Sequence, residues 1–315
     1  MALTNTFAVT LGLTAFLTAG AVQAAEPDSC KTVRFSDVGW TDVTATTATA
    51  SVILEALGYT PEIQVLSVPV TYTSLKSKDI DVFLGNWMPT QEADIKPYLE
   101  DKSVESIATN LEGAKYTLAV PAYTYEAGVK DFADIAKFKD KLDGKIYGIE
   151  AGNDGNRLIL DMIDQDKFGL GDFELVESSE AGMLSAVQKA VGSKEDVVFL
   201  GWEPHPMNAK IDMKYLTGGD EVFGPNFGGA TVHTNVRAGY TQECPNVGKL
   251  LTNLIFSLQM ENEIMGSILD EGAEPKAAAT EWLKAHPDAI TPWLEGVTAF
   301  DGGDATATVK SALEI

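Results

Sequence analysis

The sequence predicts an α/β protein built as two lobes, with parallel-rich sheets and a hinge between them. Short apolar segments alternate with segments carrying apolar residues at helical spacing, an order that implies parallel strand pairing. The order also occurs twice, since DVVFLGWEP at 196–204 echoes DVFLGNWMP at 81–89. About 290 residues remain once an apolar leader is set aside, a length sufficient for two lobes with separate cores.

Taken in order, residues 1–24 read as an export signal. The apolar run 7–22 is too short to span a bilayer, and small residues follow it, which places the cut after Ala24. Its leading segment carries no Lys or Arg, so an uncleaved anchor is the competing reading. No cysteine directly follows the run, which argues against a lipid anchor, and no later stretch reaches membrane length, so the mature protein is expected to be soluble.

Residues 31–35 form a predicted strand, followed by the loop FSDVGWTD and a helix to about 57, ended by Gly58. Strands are expected at 62–68 and 81–84, with a short helix at 72–77 between them, and the second strand runs into GNWMP. KYTLAVP at 115–121 reads as a crossover strand. Then come a strand at 145–149, the loop EAGNDGN, a helix at 156–165, and the repeat of the tryptophan motif. After a Gly-rich loop and a strand at 231–235, a helical tail occupies 245–294. One lobe is assigned residues 26–113 and 213–315, the other 114–212.

The 46 acidic and 23 basic residues leave a net charge of −23, whose field repels phosphate and so excludes nucleic acid or an anionic membrane surface as partner. A cationic solute is not repelled, although such a charge also serves solubility alone. Cys30 and Cys244 are the two cysteines, and in an oxidising compartment an even count favours pairing. Closing so long a loop would stabilise by roughly 4 to 5 kcal/mol on the chain-entropy model. Neither cysteine has a neighbour at metal-ligand spacing, His205, His233 and His286 are scattered, and no metal or cofactor is expected.

Loops at the C-terminal ends of parallel strands line the ligand crevice of such sheets. Trp40, Trp87, Asn153 and Trp202 all fall at such places, whereas Trp282 and Trp293 lie in the helical tail and read as packing residues. One loop tryptophan is commonly a lid over a core. Three, divided between both lobes, suggest a shared cage. A quaternary ammonium has no proton to donate, so several electron-rich ring faces surround it better than carboxylates alone. Asp42, two residues after Trp40, either complements such a cation or caps the following helix. Asn153 either bonds an alcohol or turns the chain in the left-handed region. His205 adjoins the cage segment and, although a lone histidine is more often structural, is kept as a candidate for a ligand-binding or second-layer role.

The stretches FSDVGWTD, SVPVTYTSLK, DVFLGNWMP, GNDGNR, VVFLGWEPHPMN and LTGGD closely resemble the periplasmic choline-binding proteins of bacterial ABC importers, within the larger betaine-binding group. The resemblance covers nearly the whole mature chain and implies a periplasmic-binding-protein fold. It implies a cage of Trp40, Trp87, Trp202 and Tyr116, an aspartate near the ammonium at Asp42, an asparagine on the hydroxyl at Asn153, and a Cys30–Cys244 bridge. It further implies choline or a related quaternary ammonium as ligand and a membrane permease as partner, with the chain acting as a monomer in the periplasm. Glycine betaine, proline betaine or carnitine is the rival ligand set, for which Arg157 would be the carboxylate's partner. Carboxylate pairs such as Glu150 and Asp154 arise by chance in so acidic a chain. No nucleophile motif accompanies them, so an enzyme, for instance one acting on choline esters, is not expected.

Overall fold

The structure, a computed structural model, describes residues 26–315, so the predicted export signal lies outside the described residues. The first unit runs β1 (Thr32–Asp37), α1 (Thr41–Ala56), β2 (Thr60–Val65), α2 (Val68–Ser77) and β3 (Val82–Met88). β1 pairs in parallel with β2 on one side and β3 on the other. β2 ends at Val65, short of the expected 68, because Val68 and Pro69 open α2; proline at the first turn of a helix sacrifices no intrahelical donor. β3 continues to Met88, beyond the expected 84, because its ladder to a later strand extends through Trp87 and Met88.

α3 (Glu92–Glu100) leads into β4 (Val104–Pro121), a strand of 18 residues. A second unit repeats the first: β5 (Lys145–Tyr147), α4 (Asp154–Asp164), β6 (Glu174–Val176), α5 (Glu180–Ser193) and β7 (Phe199–Glu203). Here β5 takes the central place, parallel to β6 and β7. The repeat seen in the sequence is therefore a repeat of topology.

β8 (Met213–Tyr215) and β9 (Gly229–Arg237) complete a nine-stranded sheet of order β2-β1-β3-β9-β4-β7-β5-β6, with β8 on β4. The crossover expected at 115–121 is the C-terminal part of β4. Its residues Val104 to Lys115 pair antiparallel with β9, and Lys115 to Ala119 pair antiparallel with β7. β8 pairs antiparallel with Ala119 to Pro121 at the end of β4.

The helical tail folds as α6 (Pro245–Asn253), α7 (Leu258–Glu271), α8 (Pro275–Ala285) and α9 (Ala305–Leu313), and α1 packs on α7, α8 and α9. Trp293 is buried against Phe256 and donates to the Ile255 carbonyl, whereas Trp282 stacks on His286 near the surface. Cys30 and Cys244 form a disulfide with Cα atoms 5.6 Å apart, tying the start of the first unit to the start of α6. Behind the first unit, Arg34 and Arg237 both donate to buried Asp81. Burial pushes that carboxyl up, but the two guanidiniums outweigh it and hold it below the usual range. Among the described residues, no helix is long and apolar enough to cross a membrane.

Candidate functional site

Each half of the site is built by local chemistry. In the first unit, Asp37 accepts from the Gly39 N–H and the Thr44 hydroxyl, both at 2.7 Å, which fixes the loop that presents Trp40. Gly39 supplies the left-handed turn, at φ +80°. Trp40 rather than Asp42 occupies the cap position of α1, and it offers the helix no side-chain cap. The capping alternative for Asp42 is thereby corrected: Asp42 lies inside the first turn, and its carboxylate accepts the Trp87 indole N–H at 2.9 Å.

In the second unit, Asn156 stitches α4 to the end of β5: its side chain accepts from the Ile149 N–H and donates to the Ile149 and Glu150 carbonyls. Asn153 is the cap of α4, with its Oδ1 accepting from the Asn156 N–H at 3.0 Å and from the Tyr116 hydroxyl at 2.9 Å. Its backbone is extended (φ −68°), and the left-handed position is taken by Gly152 instead. The left-handed-turn alternative for Asn153 does not hold, because the adjacent glycine reaches that region without strain.

Trp40, Asp42, Trp87, Tyr116, Asn153 and Trp202 all line one cavity, together with Ile149. The rings stand edge to face: Trp87 and Tyr116 are 6.0 Å apart at 62°, and Tyr116 and Trp202 are 6.3 Å apart at 82°. Trp40, Trp87, Tyr116 and Trp202 are each at most 6% exposed, so the cavity is closed off from bulk water. Trp87 and Trp202 were expected just past their strands but are the penultimate residues of β3 and β7, held in register by Val232 and Tyr116 respectively.

The electrostatics are one-sided. Burial, with Glu180 nearby, pushes the Asp42 carboxyl up to about 7. Burial likewise raises Asp154 to about 7, and it raises Glu150, whose Oε1 accepts the Trp40 indole N–H at 2.6 Å. Glu261 on α7 is fully buried and pushed well up by burial and by Asp42. Arg157 points elsewhere: its guanidinium donates to the Thr90 carbonyl at 3.0 Å and to Asp94 at 2.8 Å. His205 lies behind the cage, 5.0 Å from the Trp202 ring and 3.2 Å from Glu180.

Ile149, Glu150 and Glu180 were not singled out for the site by the sequence. Ile149 carried no signal beyond strand hydrophobicity. Glu150 and Glu180 meet residues 110 and 139 positions away, and nothing local marks them among 46 acidic side chains.

A two-unit α/β molecule that encloses a ring-lined cavity between its halves is a two-lobed solute-binding protein. Residues 31–285 match the family described as the substrate binding domain of ABC-type glycine betaine transport systems, and the chain belongs to that family. A solved ABC-transporter choline binding protein in complex with choline superposes with a TM-score of 0.90 at 70% identity, covering 91% of this chain and all of that one. A structure of an ABC-transporter choline binding protein in an unliganded semi-closed conformation gives a TM-score of 0.85 at 69% identity, with the same coverage of both chains. The glycine betaine/carnitine transport binding protein GbuC of Listeria monocytogenes is 31% identical over 169 residues, 54% of this chain and 55% of that protein. The chain is a substrate-binding protein of an ABC transporter.

Proposed function

We propose that this protein captures choline in the periplasm and delivers it to the membrane permease of an ABC importer, without chemical conversion of the ligand. Trp40, Trp87, Tyr116 and Trp202 supply ring faces to the trimethylammonium group, Asp42 supplies a compensating charge, and Asn153 bonds the hydroxyl. Each desolvated ring contributes up to ~2 kcal/mol. Four together approach the roughly 8 kcal/mol that a micromolar complex requires before ordering is subtracted. The segments 26–113 with 213–315 and 114–212 act as the clamp's two lobes, and the exchange of partners at Lys115 supports a hinge near Tyr116. A ligand that touches both lobes favours the closed form, and the permease reads closure as occupancy.

One observation carries the choice of choline over a zwitterion: the charged side chain among the cavity's lining residues is the carboxyl of Asp42, and Arg157, the cation nearest in sequence to Asn153, is committed to Thr90 and Asp94. A betaine carboxylate would face Asp42 with no cation among the lining residues to meet it. The 70% identical structure with choline bound supports the same reading. A betaine or carnitine ligand is the second reading, favoured by the family's description and by the Listeria relative. Calorimetric titration of the ligand-stripped protein with choline, acetylcholine, glycine betaine and carnitine separates the two. Choline is expected to bind tightest, and glycine betaine binding tighter than choline would overturn the assignment.

A further inference from the structure

The cavity is closed by contacts that do not involve its lining alone. The first turn of α1 exposes backbone donors that every helix must satisfy, and Trp40 at its cap position provides no side-chain acceptor. The acceptor comes from the other unit. Glu180, the first residue of α5, accepts the Thr41 N–H on Oε2 at 2.9 Å, and its Oε1 accepts the Thr41 hydroxyl. A carboxylate at that helix end is also favoured by the helix dipole. Glu180 is not occupied in capping its own helix, because Ser179 does so through the Gly182 N–H.

The Glu180 carboxylate is held in place from behind. The Met207 N–H donates to His205 Nδ1 at 3.0 Å, so the ring proton sits on Nε2 and points at Glu180 Oε1, 3.2 Å away. The His205 ring in turn meets the edge of Trp202. Glu180 is 5% exposed and does not line the cavity. Further contacts cross between the units, among them Trp40 to Glu150, Arg157 to Thr90 and Asp94, and the ion pair of Lys210 with Asp270, but the first of these runs through a cage ring.

We propose that Glu180, seated by His205, is a latch that stabilises lobe closure by capping α1 of the opposite lobe, separately from any contact with ligand. In the open form both the Thr41 donors and the carboxylate return to water. Closing exchanges those solvated groups for a buried, charge-assisted pair whose partners are already oriented. The latch therefore sets how often the unliganded protein closes and how slowly a bound solute leaves. His205 and Glu180 are positioning residues in this scheme, since neither touches the solute.

The part concerning ligand rests on the choline reading, so the test has an arm without ligand. Spin labels on exposed sites of the two lobes report the inter-lobe distance distribution of the stripped protein by pulsed dipolar spectroscopy. Glu180→Ala is expected to lower the closed-distance population about tenfold or more, the effect of losing a hydrogen bond to a charged group. Stopped-flow tryptophan fluorescence with choline is expected to show a dissociation rate raised by a similar factor and an association rate changed little. Thr41→Val, which keeps the backbone donor but removes the hydroxyl, should give a smaller shift in the same direction and serves if Glu180→Ala does not fold. Unchanged distance distributions in these variants overturn the latch, including the case where choline affinity falls, which would assign Glu180 to through-space attraction of the cation. Failure of choline to bind the wild-type protein would overturn the functional reading and leave the distance arm to judge the latch.

Discussion

Replacing Asp42 with Asn tests the electrostatic half of the cage while keeping an oxygen for the Trp87 indole N–H, which the native carboxylate accepts at 2.9 Å. At a separation of about 5 Å and an effective dielectric near 20, a carboxylate and a quaternary ammonium attract by about 3 kcal/mol, or roughly a hundredfold in affinity. The native carboxyl is pushed up to about 7 by burial and by Glu180. Above that pH it is ionised before the cation arrives, and the full attraction is available. Below it the cation must first expel a proton, so affinity falls by up to about tenfold per pH unit. Choline affinity in the wild type should therefore rise between pH 5 and 7 and level off by pH 8. Asp42→Asn should lose about a hundredfold at pH 8 and little at pH 5, where the wild type has already forfeited the charge. Titration calorimetry in two buffers of different ionisation enthalpy reads the proton released at pH 6. The reasoning is refuted by a flat wild-type profile together with an Asp42→Asn protein that binds within about twofold of it at pH 8. The same group makes the stripped protein less stable as pH climbs from about 4 to about 7, because the unfolded chain loses this proton first.

The remaining predictions concern packing and the covalent tie. In Gly155→Ala the new methyl carbon would lie 2.1 Å from the Tyr116 hydroxyl, and that ring is fully enclosed; the expected result is a loss of about 1–3 kcal/mol in stability with choline affinity at least tenfold weaker, checked by thermal melts and calorimetry. Replacing both Cys30 and Cys244 with Ser should lower the denaturation midpoint by an amount equivalent to about 2–5 kcal/mol without altering the choline dissociation constant, because the bridge lies outside the cavity lining.

The fold was legible where the chain repeats itself. The echo between residues 81–89 and 196–204 located β3 and β7 and, with them, two of the four rings, because strand-end motifs in equivalent units face a common crevice. Tyr116 had no such mark. It lies in a stretch where Thr117, Leu118, Ala119 and Val120 are all buried as well, so alternation of apolar and polar residues, the usual sign of facing, is missing. Only the family resemblance pointed to it. The carboxylates that close the cleft were illegible for a different reason: their partners are set by how two units meet, and the sequence of one unit carries no trace of the other's surface. Asp42 lines the same cavity as the rings, and its hydrogen bond to Trp87, 45 residues away, replaces the local capping role that propensity favoured.

The exchange of partners along β4 has a consequence for how a solute enters. Lys115 pairs with both β9 and β7, and on the next rung Tyr116 faces Trp202 directly. Bending at Lys115 would leave Tyr116, Trp202 and Asn153 together, bound by the ladder and by the tyrosine hydroxyl. Trp87 and Asp42 would likewise stay joined by their own hydrogen bond, next to Trp40. Capture then resembles the meeting of two halves of a mould that are each already cast, so that little side-chain freedom remains to be lost when the solute arrives.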